Sequence, residues 1–369
     1  MEKKKRKRKK IMIIMGVIVI LLVTVLPFGT AIYAYESSFE RSETYEPFRL
    51  STEDFNGLMY ENCEFTSHQK LKLAGYKLYN TQYGESFSDA AKKAKAIVII
   101  AHGMGGGGFN SYMNAADWFA SHGYVVFGYD ATGNDSSEGD SVRGLPQGIS
   151  DLSSAIEYVE ETPETANIPI VLWGHSWGAY SVSNVLNEHP EVKAVAAISG
   201  WNTSADLLYE QGKNMAGEMG MQALLPYMKL YEKMKFGKYS SYKAVDGFKN
   251  TDAGIMIVHS TDDDMIPIKY GYDLYYSKFA NDPRFVFVKY EKKGHSYCYH
   301  SDKALEYITA FNKQFDKDFG ITDKKNQKVN PDEKAEYIKA HLDKKQMNEV
   351  DEELFQKIDN LYTKYCQVQ

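Results

Sequence analysis

Six short apolar runs set the terms for any fold of this chain. They occupy residues 96–101, 124–129, 168–173, 192–198, 255–259 and 285–290, and they are rich in Ile, Val, Ala and Phe. Each is too short for a stable helix, and the first, 96–101, is apolar throughout, unlike a strand with one wet face. Such runs read as strands covered on both faces. Segments with helical spacing separate them at 112–121, 149–161, 178–188 and 268–279, and another at 303–315 follows the last run. This alternation predicts an α/β chain with a mostly parallel sheet between two layers of helices. Upstream, 58–66 and 71–79 flank a polar turn and predict a hairpin. In sheets of this kind chemistry gathers at the carboxyl ends of the strands.

The strand ends are where this sequence departs from ordinary core composition. The run at 168–173 leads into Gly174-His175-Ser176-Trp177-Gly178, a G-x-S-x-G sequence between a strand and a helix. A sharp turn there needs small residues where backbones approach, and it exposes the Ser176 hydroxyl in front of a helix N-terminus. Ser176 is therefore a candidate nucleophile. The run at 96–101 leads into His102-Gly103-Met104-Gly105 and three further glycines. Gly103, Gly105 and Gly108 spell the dinucleotide-binding fingerprint, with Asp130 at the next strand end as its ribose acid. The competing reading is a loop whose glycines bring backbone close to a substrate, with the Met104 N–H aimed at an oxyanion. A plain turn is the third. The nucleotide reading leaves Ser176 without a role.

A serine nucleophile needs a histidine base, and the base needs an orienting carboxylate. The run at 255–259 leads into Ser260-Thr261-Asp262-Asp263-Asp264, and the run at 285–290 is followed by Gly294-His295. Ser, Asp and His thus fall in that order along the chain. Of the other histidines, His102 is expected to brace its loop, His175 to point away from the site, and His300 lacks a strand end. No H-E-x-x-H or comparable ligand spacing occurs, so no metal and no cofactor is expected.

These residues together resemble the α/β-hydrolase superfamily, and within it the serine aminopeptidase-like (S33) and monoacylglycerol-lipase-like branch. The resemblance rests on the hairpin at 65–76, the loop His102 to Gly105, and the stretch with Asp130, Gly133, Ser137 and Gly139. The elbow at Ser176, the acid loop ending in Ile266-Pro267, and Gly294-His295 complete it. It covers roughly residues 58–320. It implies Ser176 as nucleophile, His295 as base, and the backbone N–H groups of Met104 and Trp177 as the oxyanion hole. Counting back from Ile266-Pro267 implies Asp263 as the acid, with Asp262 next in line. The chain departs from the branch at Ser260, where glycine is usual, and at Gly106-Gly107-Gly108, where relatives often carry Glu-His.

Charge divides the 369 residues further. Residues 1–10 hold eight Lys/Arg and one Glu, a net of +7, so the other 359 carry −13 beneath the total of −6. An acidic body is unsuited to nucleic acid. Residues 11–35 contain no charge, and at 1.5 Å per residue they are long enough to cross a bilayer core of about 30 Å. The basic tip is expected on the cytoplasmic side and the body outside. The alternative is a signal segment cut near Gly29-Thr30-Ala31, which would leave a secreted protein. Residues 36–57 read as a polar stalk, 58–320 as the catalytic domain with a lid at about 203–252, and 321–369 as a helical extension that the fold does not need. In the lid, Leu224, Met228, Tyr231 and Met234 fall on one helical face, with Met215, Met219 and Met221 nearby. Flexible thioethers suit an adaptable apolar wall. Cys63, Cys298 and Cys366 are too few and scattered for a disulfide framework. The expectation is a membrane-anchored, extracytoplasmic serine hydrolase acting on a small ester with an apolar acyl part. Two alternatives stand beside it, a serine peptidase of small peptides or amides and a catalytically silent surface binding protein.

Overall fold

The computed structural model describes residues 2–323 and 327–367. Helix α1 (Glu2–Ile20), a π-helical turn (Leu21–Val25) and helix α2 (Leu26–Glu36) form one continuous rod. It contains an 18-residue window of mean hydropathy 3.0 and is long and apolar enough to cross a membrane. The hairpin follows as β1 (Leu58–Thr66) and β2 (Lys72–Asn80), then the short helix α3 (Phe87–Ala91). Strand and helix alternate from there: β3 (Ile97–Ala101), α4 (Met113–Ser121), β4 (Val125–Tyr129), α5 (Gln147–Glu161), β5 (Ile170–His175), α6 (Trp177–Asn184), β6 (Ala194–Ile198). Helices α7 (Ser204–Phe236) and α8 (Ala244–Lys249) precede β7 (Gly254–Ser260), α9 (Tyr272–Phe279) and β8 (Phe285–Tyr290). The chain closes with α10 (Asp302–Asp318), α11 (Pro331–His341), α12 (Lys344–Met347) and α13 (Glu352–Cys366).

The eight strands form one sheet in the order β1-β2-β4-β3-β5-β6-β7-β8. Only β2 runs against the others, pairing antiparallel with both β1 and β4. The central strands β3 to β7 are wholly buried, which accounts for their unbroken apolar sequence. Helices α3, α5, α6, α8 and α9 cover one face. Helix α5 does so with Ile149, Leu152, Ala155, Ile156 and Val159, one stripe of a 3.6-residue period.

The other face holds a correction. The helix expected at 303–315 is present as α10, but only Ala304 on it is buried. The cover comes from α4 and from α13, whose Leu354, Phe355, Ile358, Leu361 and Tyr362 press on the sheet. The Tyr362 hydroxyl donates to the carbonyl of Leu172 in β5 at 2.6 Å. The C-terminal extension is thus part of the core. Helix α11 in this extension is capped by Asn330, whose Oδ1 accepts the N–H groups of Asp332 and Glu333.

The segment read as a stalk also lies on the body. Phe39 and Leu50 are buried. Thr44 donates from its N–H and its hydroxyl to Asp135, each at 2.6 Å, and Arg41 donates to the carbonyls of Ser137 and Gly139. The helix expected over 268–279 begins only at Tyr272. Ile268–Tyr270 forms a 3-10 turn, and Gly271 (φ −128°, ψ −92°) interrupts the helical backbone at a place where a Cβ would lie 2.2 Å from the carbonyl oxygen of Gly200. The lid helix α7 bends at Gly217 (φ 70°, ψ 165°), which folds its two halves together so that a Cβ on Gly212 would meet Met221 sulfur at 2.3 Å. Of the lid face expected at Leu224, Met228, Tyr231 and Met234, the first three turn inward and Met234 is exposed.

Candidate active site

Parallel pairing brings three strand ends side by side. Ala101 of β3 pairs with Gly174 of β5, and His175 of β5 pairs with Ile198 of β6. Past His175 the chain turns at Ser176 with φ 56° and ψ −118°, a conformation that costs a non-glycine residue on the order of 1–3 kcal/mol. The flanking glycines allow it. A Cβ on Gly174 would sit 2.4 Å from the carbonyl oxygen of Gly178, and one on Gly178 would sit 1.9 Å from that of Ala101. The turn is tied down by the Ser176 N–H, which donates to Ile198 at 2.8 Å.

The Ser176 hydroxyl lies 2.7 Å from Nε2 of His295. Nδ1 of His295 lies 2.8 Å from Oδ2 of Asp263. A carboxylate can only accept, so Nδ1 carries the proton and Nε2 is free to receive one from the serine. Asp263 Oδ1 accepts the N–H groups of Met265 at 3.0 Å and Ile266 at 2.8 Å, and Nε2 of His259, which donates to the Ile266 carbonyl at 2.9 Å, lies 3.1 Å from Oδ2. Burial pushes the Asp263 carboxyl upward, but the bonds from His259 and His295 outweigh it and hold the group well below the usual carboxylate range. Asp263 stays charged at any ordinary pH.

Asp262, the alternative acid, does different work. Its Oδ1 accepts the Gly294 N–H at 2.9 Å and the Ser260 hydroxyl, while Ser260 Oγ accepts the Lys293 N–H at 3.1 Å. Ser260, the residue that replaces a usual glycine, thus helps Asp262 clamp the loop that carries His295. Asp264 is exposed.

The oxyanion candidates meet at the same place. Met104 follows Gly103, where a Cβ would lie 3.5 Å from the Cβ of Ser176, and Trp177 opens α6. Neither backbone N–H is hydrogen-bonded among the described residues. His102 braces this loop as expected. Its Nδ1–H donates to Gly103 O at 2.7 Å and its Nε2 accepts the Ala131 N–H at 2.9 Å. Asp130 is spent on Phe109 N–H and the Tyr76 hydroxyl, both at 2.8 Å, and on the Ser136 N–H, which leaves no acid for a ribose. Among the described residues one histidine–carboxylate group has metal-like proximity, Glu160, His189 and Glu191, and its His189 and Glu191 precede the amino end of β6 rather than following a carboxyl end.

The comparisons with known proteins bear on the fold. Residues 92–257 match the family model described as serine aminopeptidase, S33. That span runs from before β3 into β7 and includes Ser176. Among solved structures, an esterase of Pyrococcus furiosus aligns with 82% of this chain and 98% of its own at 15% identity, with a TM-score of 0.50. A second crystal form of that esterase aligns with 76% of this chain and 94% of its own at 16% identity and the same TM-score. An acylaminoacyl peptidase of Pyrococcus horikoshii aligns with 77% of this chain and 45% of its own at 19% identity, with a TM-score of 0.48. No curated protein matches the sequence significantly. The chain has the α/β-hydrolase fold.

Within that fold, two features escaped the sequence reading. His175 does point away from the elbow, but it is not idle. Its Nε2–H donates to the His295 carbonyl at 3.0 Å, and its Nδ1 accepts the Tyr112 hydroxyl at 2.9 Å. That hydroxyl in turn accepts the Gly103 N–H at 3.0 Å. Burial, reinforced by the neighbouring His295, pushes the His175 pKa down to about 3, so it is a neutral strut between the glycine loop and the base loop of this hydrolase fold. Ser199, held at φ 57°, is the second strut, its hydroxyl donating to the same His295 carbonyl at 3.1 Å. Neither carries a motif. The Cys298 thiol behind them is buried, which pushes it up to about 12, far from a reactive thiolate.

Proposed function

We propose that this chain is a membrane-anchored serine hydrolase that cleaves carboxylic esters with an apolar acyl part. The observation that carries the proposal is the hydrogen-bonded line Ser176–His295–Asp263 on a turn with positive φ at Ser176. In this mechanism His295 Nε2 takes the Ser176 proton as Oγ attacks the carbonyl carbon. Asp263 stabilises the imidazolium, and the N–H groups of Met104 and Trp177 receive the oxyanion. The C–O bond to the leaving alcohol then breaks, and the alcohol takes the proton from His295. A water molecule repeats the sequence on the acyl-enzyme and frees the acid and Ser176.

An ester is favoured over a peptide by what surrounds the site. Beside Met104 lies a cavity of about 210 Å3 lined mainly by aliphatic, aromatic and methionine side chains. The acids nearby are committed. Glu210 is paired with Lys213 and bonded by Tyr270, and Glu232 is bonded by Tyr35 and Ser204. Among the described residues, neither of these two acids beside the cavity is free to receive a substrate ammonium group. The peptidase reading draws on the description of the matched family. The anchor is supported by the apolar helix after a basic tip, which orients the body outward. Retention of the helix is supported by the Tyr227 hydroxyl of the lid, which donates to the carbonyl of Val23 upstream of the alternative cut site.

The test is a panel of chromogenic esters of graded acyl length beside aminoacyl amides, with Ser176→Ala as control. Esters are expected to turn over faster than amides, and Ser176→Ala to lose both. Faster amide turnover would favour the peptidase, and turnover unchanged in Ser176→Ala would overturn the mechanism.

A further inference from the structure

The cavity beside Met104 is built partly by the N-terminal helix. Its walls include Ala34, Tyr35 and Phe39 from the anchor side and Met221 and Met228 from the lid. Ala31 packs in one apolar cluster with the same two methionines. The contact is fixed at both ends. The Tyr35 hydroxyl donates to Glu232 at 2.7 Å, the Tyr231 hydroxyl donates to Glu36 at 2.6 Å, and Lys235 pairs with Glu36. Lower down, the Tyr227 hydroxyl donates to the carbonyl of Val23, inside the apolar part of the rod. The lid helix therefore runs alongside the segment that is apolar enough to cross a membrane.

Its sequence matches that position. Between Glu218 and Lys229 the lid has no charged residue, and Lys229, Lys233 and Lys235 follow on the side away from the anchor's apolar part. An uncharged helical stretch that ends in lysines suits a helix whose apolar part meets lipid while its lysines reach the aqueous side. The cavity adjoins the reaction centre at Met104 and Leu145. Tyr35 rests on Gly144, where a Cβ would lie 2.0 Å from its hydroxyl oxygen. The next residue, Leu145, lines the cavity and accepts the indole N–H of Trp177 at 2.8 Å. At about 210 Å3 the space is smaller than the roughly 300–1,000 Å3 of drug-sized sites and fits one acyl chain.

We infer that the end of the anchor helix, from Ala31 to Phe39, is a wall of the acyl-binding site. Its occupant is a single acyl chain of a lipid from the leaflet in which the anchor ends. This rests on the serine-hydrolase reading for what happens to the chain afterwards, but the binding itself does not. The anchor then selects substrate as well as position. The lid uncovers the cavity toward the leaflet, and the ester of a lipid whose chain has entered is drawn toward Met104 and Ser176.

The test uses full-length protein in phosphatidylcholine vesicles doped with a phosphatidylcholine that carries a diazirine on one acyl chain. After illumination, the labelled residues are mapped. Tyr35 and Met221 are each only 1% exposed, so label reaches them only through the cavity, whereas Leu26 is 59% exposed and takes label from the bulk lipid. Label is expected at Tyr35, Met221 and Met228 as well as at Leu26. Ala34→Phe, which fills the cavity from the anchor side, should cut the first three at least tenfold and leave Leu26 unchanged. Ala34→Leu is the milder filling, and thermal unfolding of both variants checks that the body is intact. Label confined to lipid-facing residues, or cavity label indifferent to both fillings, would overturn the inference. Cavity label with the expected response in a protein that hydrolyses no ester would uphold the acyl site and remove the hydrolase reading.

Discussion

The Ser176 cluster and the cavity behind Met104 adjoin each other and are built by opposite means. The cluster is a polar network in which Asp263, Asp262, His175, Ser199 and His102 each have assigned partners at hydrogen-bond distance. The cavity is held by methionine, leucine and aromatic side chains with few polar atoms. Hydrogen bonds fix atoms to a few tenths of an ångström and fail when one partner is lost. Dispersion contacts between flexible side chains yield and refill. On the proposed function the difference separates two jobs: the strand ends would set where bonds are made and broken, and the lid with the anchor would set what is admitted.

Substitutions can break that division, beginning with the largest effect. Asp263→Asn removes the charge that orients His295 and should lower kcat about 10⁴-fold, while Asp262→Asn, which only loosens a loop clamp, should cost about tenfold. Equal losses would mean that the two acids share the role. Tyr112→Phe leaves the Gly103 N–H and His175 Nδ1 without their partner, and kcat/KM for a short ester should fall about tenfold with KM nearly constant. A change carried by KM alone would place Tyr112 in substrate binding instead.

The smallest effect belongs to the cavity side and concerns pH. Burial raises the Glu232 pKa from 4.5 to about 7, against bonds from Ser204 and Tyr35 that favour its charged form. The unfolded chain gives up this proton near 4.5 and the folded chain holds it to about 7. The folded state therefore binds more protons across that window, and stability falls as pH rises through it and levels off above. Glu232→Gln should remove the loss, raising Tm at pH 8 by roughly 2–4 °C and changing it little at pH 4. A Tm gain at both pH values would contradict the role of the charge.

What the sequence made legible follows the same line. The strands, the elbow, the glycine loop, the acid loop and Gly294-His295 could be read because each joins a local pattern to a strand end. The packing of α13 on the sheet could not. Leu354, Ile358, Leu361 and Tyr362 recur at helical spacing, which calls for a buried face, but nothing local says which surface receives it. The docking of residues 36–57 was hidden for a similar reason, since Thr44 and Arg41 are held by polar partners about 90 residues away or more. His175 and Ser199 act through the backbone of His295, a relation that exists only after folding.

The central claim is that Ser176 is the nucleophile, and one measurement addresses it most directly. Full-length protein is treated with a fluorophosphonate, digested and mapped by mass spectrometry. The account predicts a single phosphonyl adduct on Ser176, absent after denaturation before treatment and absent in Ser176→Ala. Undiminished labelling of Ser176→Ala, or an adduct on another residue of the native protein, would contradict it.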